Sequence, residues 1–227
     1  NFKLNFLWRT PMADLILDIE TVPRPPIDEA VEEVIAQKTQ ARVDKTGDNP
    51  ENAESLIRSV SPFFGQVLCV GMRWLQDDSS SRDKVVCESN EEVTLQTFFD
   101  IINHPSTRGV KFVHYNGMGF DIPFLLIRAA HYGIAVTNQK FTNLRRFTFD
   151  NHIDLMLYLC NWNSYNSVSM DIACRSFGIP SPKEGEVRGE TVAEAYDEGN
   201  IEAVNEYVMR DVEATHQLYE KLRQYIK

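Results

Sequence analysis

The sequence predicts an α/β domain in which helices flank a mixed central β-sheet. Short apolar runs of strand character lead the chain, one more strand directly precedes a well-marked helix, and the second half is mainly helical. With 43% hydrophobic and 25% charged residues over 227 positions, the chain has the balance of a globular protein and enough length for a core without covalent staples.

Residues 1–11 (NFKLNFLWRTP) lack the unbroken apolar stretch and cleavage site of a signal peptide, and read as an expression remnant before Met12. Residues 12–227 read as a single domain. Ala13 to Glu20 (ADLILDIE) suits a buried strand that ends in two acids. Between the first and second strands lies a polar insertion, about 23–62, with helical character from Ile27 to Gln40 and a surface loop from Lys45 to Pro50. Gly65 to Leu75 and Asp83 to Glu88 are strands, split by a turn-like stretch at 77–81. Ser89-Asn90-Glu91-Glu92 has capping-box spacing and opens a helix to about Asn103. Val110 to Tyr115 is the fourth strand, and Asp121 to His131 a helix whose Pro123 is tolerated in the first turn. Further helices are expected at 152–162, 168–177 and 190–198, then from Ile201 to Ile226 with Asn200 as N-cap.

Lys plus Arg number 23 against 33 Asp plus Glu, a net charge of −10, and −12 once Lys3 and Arg9 of the tail are set aside. That balance argues against holding nucleic acid by bulk positive charge. No apolar run is long enough for a membrane span. The four cysteines form no C-x-x-C pair and lie at no zinc-finger spacing, so they read as free core thiols of a reducing, cytoplasmic protein.

Three acidic contexts carry chemistry. Asp18 and Glu20 are two apart on a strand and share a face, where hard oxygen ligands suit Mg²⁺ or Mn²⁺. On its own, such a pair is as readily a strand end reaching solvent. Asn116 to Phe124 (NGMGFDIPF) places Asp121 after a glycine-bearing turn, where it serves as a helix start or as a functional carboxylate. Tyr207 and Asp211, at i and i+4, share one face of the last helix, and Val204, Val208 and Val212 form a burial row beside them.

In order and context, strand D-x-E, turn N-x-x-x-F-D and helical Y-x-x-x-D resemble the three motifs of the DEDD superfamily of 3′→5′ exonucleases. The tyrosine four before the last Asp matches its DEDDy branch; the histidine of the other branch would stand five before, where this chain has Glu206. The resemblance extends to the proofreading exonuclease domain of B-family DNA polymerases and to stand-alone predicted relatives. It implies an RNase H-like fold and a two-metal phosphodiesterase, with Asp18, Glu20, Asp121 and Asp211 binding two divalent cations, Mg²⁺ or Mn²⁺. Tyr207 would orient a water, since a hydroxyl with a pKa near 10 is a poor base. The product would be a nucleoside 5′-monophosphate released from a 3′ end.

The same resemblance implies substrate contacts from Thr21, Asn116, Phe120, Ser169, Met170 and Lys183. Phe120 is as readily a core residue; Lys140, Arg145 and Arg146 form a small basic cluster in a connecting segment that either touches phosphates or is a solvated loop; Asp154 could reach the site but reads best as a helix N-terminal acid. The expected partner is the 3′ end of single-stranded DNA or RNA, DNA favoured, with a polymerase or repair partner in trans and no membrane. A catalytically silent nucleic-acid-binding module and a metal-dependent phosphatase or small-nucleotide hydrolase are the alternatives.

Overall fold

The structure, a computed structural model, describes residues 12–76, 80–183 and 192–226. The 1–11 tail, the centre of the turn at 77–81 and the start of the helix expected at 190–198 lie outside these residues. Strand β1 (Met12–Pro23) is the centre of a five-stranded sheet of order β3-β2-β1-β4-β5. It pairs antiparallel with β2 (Gly65–Gln76), which pairs antiparallel with β3 (Ser81–Val86). On its other side it runs parallel to β4 (Lys111–His114), which is parallel to β5 (His152–Asp154).

Alternation along β1 divides the core. Leu15, Leu17 and Ile19 pack with Leu95, Phe98 and Phe99 of α3 (Glu91–Ile102) and with Ile122, Phe124 and Leu125 of α4 (Asp121–His131). On the opposite face, α9 (Ile201–Leu222) covers Ile16 with Val212 and Leu218, and Val22 with Val204 and Val208. Asp18 and Glu20 stand between Ile16 and Val22 in that second row.

The expected α/β class and mixed sheet are present, and several local readings are corrected. The first strand runs on to Pro23. The segment read as a polar insertion is mostly a helical hairpin, α1 (Glu29–Thr46) and α2 (Pro50–Ser59). The loop expected from Lys45 to Pro50 shrinks to a cap-to-cap turn. Gly47 closes α1 at φ 74°, and Asn49 caps α2 ahead of Pro50. The helical character expected from Ile27 to Gln40 is the greater part of α1, and α2 is additional; both bury little, Ile35 and Thr39 in one, Ala53 and Arg58 in the other. The cap of α3 is Asn90, which accepts from Val93 N at 3.0 Å. The carboxylate of Glu91 turns inward instead. It accepts from Val67 N at 2.7 Å, Arg128 Nη2 at 2.5 Å and Tyr132 Oη at 2.9 Å, fastening α3 and α4 to β2.

The helix expected at 152–162 begins as β5, and its helical part is only α6 (Leu155–Leu159). Three strand residues show no period, so the run reads as part of the helix that follows. Short helices α5 (Gln139–Thr142), α7 (Met170–Ser176) and α8 (Val192–Asp197) complete the chain, and α9 stops at Leu222, short of Ile226. Cys69, Cys160 and Cys174 are buried free thiols as expected; Cys87, just past the end of edge strand β3, is only half-buried. No helix of the described residues is long and apolar enough to cross a membrane.

Candidate active site

Asp18 and Glu20 project from the α9 face of β1, where the neighbouring positions on β2 are Gly71 and Cys69. Gly71 is what lets the helix approach. A Cβ built there would lie 2.9 Å from Val208 Cγ2 and 3.1 Å from Val212 Cγ2. The Val204-Val208-Val212 row therefore seats on the sheet beside Asp18, and Asp211 arrives with it. Carboxylate oxygens of Asp18, Glu20 and Asp211 all lie within 4.8 Å of one another.

Asp121 comes from the other side of the sheet, at the first turn of α4. It does not cap that helix; the N-cap position belongs to Phe120, which makes no side-chain cap bond. The Asp121 carboxylate instead accepts from the buried N–H of Ile19 at 3.1 Å, directly between the two acids of β1.

Electrostatics show how tightly the four acids interact. Burial raises Asp18 well above the ordinary carboxylate range, followed by the charges of Asp121, Asp211 and Glu20. Glu20 is raised by burial, then by Asp211 and Asp121. Burial lifts Asp121 to about 6 against the opposing influence of His114 and the Ile19 amide. It lifts Asp211 likewise to about 6, against Arg210, a hydrogen bond from the Tyr207 hydroxyl, and Lys183. The i, i+4 spacing thus brings Tyr207 onto Asp211, and the Arg210 guanidinium lies 5.3 Å from the Tyr207 ring centre. A hard-oxygen set so crowded and desolvated needs counter-charge, and a divalent cation of the Mg²⁺ or Mn²⁺ kind fits its chemistry.

The turn that carries Asp121 is held from below by Asp154, a residue read from sequence only as a helix cap. Asp154 does cap α6, accepting from Leu157 N at 3.2 Å. It also accepts from Asn116 N and Met118 N, each at 3.0 Å. Burial opposes its ionisation, but His114, whose Nδ1 lies 3.5 Å from Asp154 Oδ2, and these amides hold it below the usual carboxylate value. His114 Nε2 meets His152 Nδ1 at 3.2 Å, and burial drives His152 down to about 3, so that ring is neutral. Asn116 adopts the left-handed region at φ 64°. A Cβ on Gly117 would fall 2.4 Å from His114 Cγ, which reserves that position for glycine.

The remaining expected residues are spread around this centre. The Thr21 hydroxyl donates to Ser59 O at 2.8 Å, joining β1 to α2. Phe120 is partly buried and meets Phe124 edge-on at 5.6 Å, so much of its ring belongs to the core. Ser169 is the exposed cap of α7, and half-buried Met170 packs on the α9 side of the core. Lys183 is exposed, and its charge acts on Asp211. Lys140 donates to Gly109 O at 3.0 Å, whereas Arg145 and Arg146 are exposed.

The family described as a predicted 3′-5′ exonuclease related to the exonuclease domain of PolB matches residues 67–226. The match contains Asp121, Tyr207 and Asp211 and begins after Asp18 and Glu20. No curated protein matches the chain. Among solved structures, the family B DNA polymerase of the hyperthermophilic archaeon Pyrobaculum calidifontis superposes on 95% of this chain with a TM-score of 0.60 at 18% identity. The chain spans 25% of that polymerase's length. That likeness is one of fold, the RNase H-like arrangement of a mixed sheet with flanking helices.

Proposed function

As this chain belongs to the family of predicted 3′-5′ exonucleases related to the exonuclease domain of PolB, we propose that it hydrolyses phosphodiesters from the 3′ end of single-stranded nucleic acid, DNA in preference, releasing nucleoside 5′-monophosphates. The observation that carries this reading is the meeting of Asp18, Glu20 and Asp211 within 4.8 Å, with Asp121 tied to the backbone between the first two.

Asp18, Glu20 and Asp211 would hold one divalent cation, and Asp121 with Asp18 would hold a second. Such ions, Mg²⁺ or Mn²⁺, would supply the positive charge that stabilises the attacking and leaving oxygens of an in-line displacement. The protein's part is positional. Tyr207, anchored on Asp211, orients the attacking water, and the Ile19 amide sets the direction of Asp121. Lys183 brings positive charge to the scissile phosphate from the Asp211 side. Asn116, the exposed edge of Phe120, Thr21, Ser169 and Met170 receive the terminal nucleotides. With a net charge of −10, the protein grips a short single-stranded end through ions, stacking and local cations rather than long duplex.

The test is incubation with 5′-labelled single-stranded DNA and RNA in Mg²⁺, Mn²⁺ or EDTA. The expected result is a ladder shortening from the 3′ end, lost in EDTA and in Asp211→Ala. Absence of shortening with every metal, or unchanged activity of Asp211→Ala, overturns the reading. Hydrolysis of a simple phosphomonoester in place of the oligonucleotide would make the protein a phosphatase.

A further inference from the structure

One surface outside the acid cluster combines exposed aromatic rings with unpaired cations. From Asn143 to Ser169 the charged residues are Arg145, Arg146, Asp150 and the buried Asp154, with His152 held neutral, in a protein of net charge −10. Neither arginine pairs with a carboxylate among the described residues. The same stretch carries five aromatic side chains. Trp162 stacks on Phe149 at 5.3 Å and 28°, and Phe149 meets Tyr158 edge-on at 5.9 Å, building a base. Phe147 leans on Trp162 at 5.2 Å yet remains 74% exposed, with the Arg146 guanidinium 5.8 Å from its ring centre. Tyr165 is 97% exposed.

The backbone favours this display. Phe147 and Trp162 both occupy the left-handed region, at φ 62° and 61°, which bulky side chains rarely adopt. An ordinary core would tuck such rings inward; here Phe147 stands exposed and Trp162 half-buried. The ledge is tied through the chain to the turn that delivers Asp121. Its loop runs through Tyr165 to Val168, whose carbonyl accepts from the Tyr115 hydroxyl at 2.7 Å. Tyr115 directly precedes the Asn116 turn that delivers Asp121, and Ser169 follows Val168.

We propose that Phe147, Trp162 and Tyr165, with Arg145 and Arg146, form a ledge that holds the single-stranded substrate upstream of its 3′ end, bases against the rings and phosphates against the arginines. Flat faces with local cations in an otherwise acidic protein match the chemistry of unpaired bases on an anionic backbone. A protein partner would not need both. This inference rests on the nuclease reading for the identity of its occupant, but its test does not require turnover.

Fluorescence anisotropy with 5′-fluorescein oligothymidylates of roughly 4 and roughly 16 nucleotides, in Ca²⁺ and in EDTA, reads the ledge directly. Phe147→Ala/Tyr165→Ala is expected to bind the longer strand about tenfold more weakly and the shorter one as wild type does. Arg145→Ala/Arg146→Ala should lower the slope of log Kd against log salt by about 0.7 per arginine on the longer strand only. Tyr165→Ala alone, in a side chain almost wholly in water, keeps the result independent of folding. Equal affinity of wild type and variants for the longer strand overturns the proposal, as does an equal loss on both lengths. Unchanged strand affinity with loss of a dimer in sedimentation would assign the ledge to a second copy, and also overturns it. Hydrolysis of the p-nitrophenyl ester of thymidine 5′-monophosphate, unchanged in all variants, reports the acid site separately. If wild type lacks that hydrolysis, the activity reading fails while anisotropy still decides the ledge.

Discussion

The N–H of Ile19 donates to Asp121 Oδ1 at 3.1 Å, so the residue between the two acids of β1 also orients the acid of α4. One peptide unit thereby couples the carboxylates of two elements far apart in sequence. Crowding of this kind is unfavourable without counter-charge, and it makes stability depend on pH in a definite direction.

Asp121 and Asp211 are lifted to about 6 in the folded state, above their unfolded values. Between the two values these groups bind more protons in the folded protein, so their contribution to stability is greatest at low pH and falls as pH rises from about 4 through about 6. The metal-free protein is expected to melt higher at about pH 5 than at about pH 7.5 from these groups, by on the order of 1–3 kcal/mol. Mn²⁺ should raise the melting temperature more at the higher pH, where the carboxylates are ionised. A calorimetric titration showing the opposite order would refute the assignment.

Gly71→Val places a side chain where Val208 and Val212 already sit, so α9 must move away from β1. The expected cost is about 1–3 kcal/mol in urea unfolding, with weakened Mn²⁺ affinity because Asp211 travels with the helix. Adding Val208→Ala should restore part of both. Full Mn²⁺ affinity in Gly71→Val would show that helix approach does not set the site.

Asp154→Asn removes the negative charge from a carboxylate that serves three amides and His114. Its amide nitrogen then opposes a backbone donor, and a loss of about 1–3 kcal/mol is expected. Because the turn carrying Asp121 loosens, hydrolysis should fall beyond what partial unfolding explains. Rates measured well below the melting temperature of each variant, plotted against Mn²⁺ concentration, separate the two effects.

Tyr207→Phe keeps the ring and loses the hydroxyl bound to Asp211. Turnover is expected to fall by at least tenfold while Mn²⁺ binding and melting temperature stay near wild type, since one hydrogen bond is worth about 0.5–1.5 kcal/mol. Isothermal titration with Mn²⁺ beside a steady-state assay tests this. Lost metal binding would contradict a role in orienting water.

Glu91→Gln supplies a contrast on the far face. Glu91 and Arg128 form a buried ion pair, and removing one charge strands the other, costing about 3–5 kcal/mol. Asp18, Glu20 and Asp211 lie across the sheet, whereas Asp121 shares α4 with Arg128, so Mn²⁺ affinity at the site formed by the first three should be unchanged in the folded fraction in an equilibrium titration.

By itself the sequence determined which residues share a face. Period-two spacing put Asp18 and Glu20 together on β1, and period 3.6 put Tyr207 with Asp211 beside the valine row, because local geometry alone sets those directions. The class of fold and the later strands and helices followed from the same patterning. Short β5 and the ten-residue α2 escaped it, and α1 was legible only as far as Gln40, since β5 spans three residues and the two helices bury little. The motif resemblance grouped the four acids, and the tertiary structure shows what brings them together. Gly71 admits α9 and so brings Asp211 to Asp18, while Ile19 N aims Asp121 at the gap. It also turned Asp154 from a helix cap into the clamp beneath the Asn116 turn, and gathered Phe147, Phe149 and Trp162 into one ledge. Those relationships depend on close approach between segments distant in the chain, which side-chain periodicity within a single element does not encode.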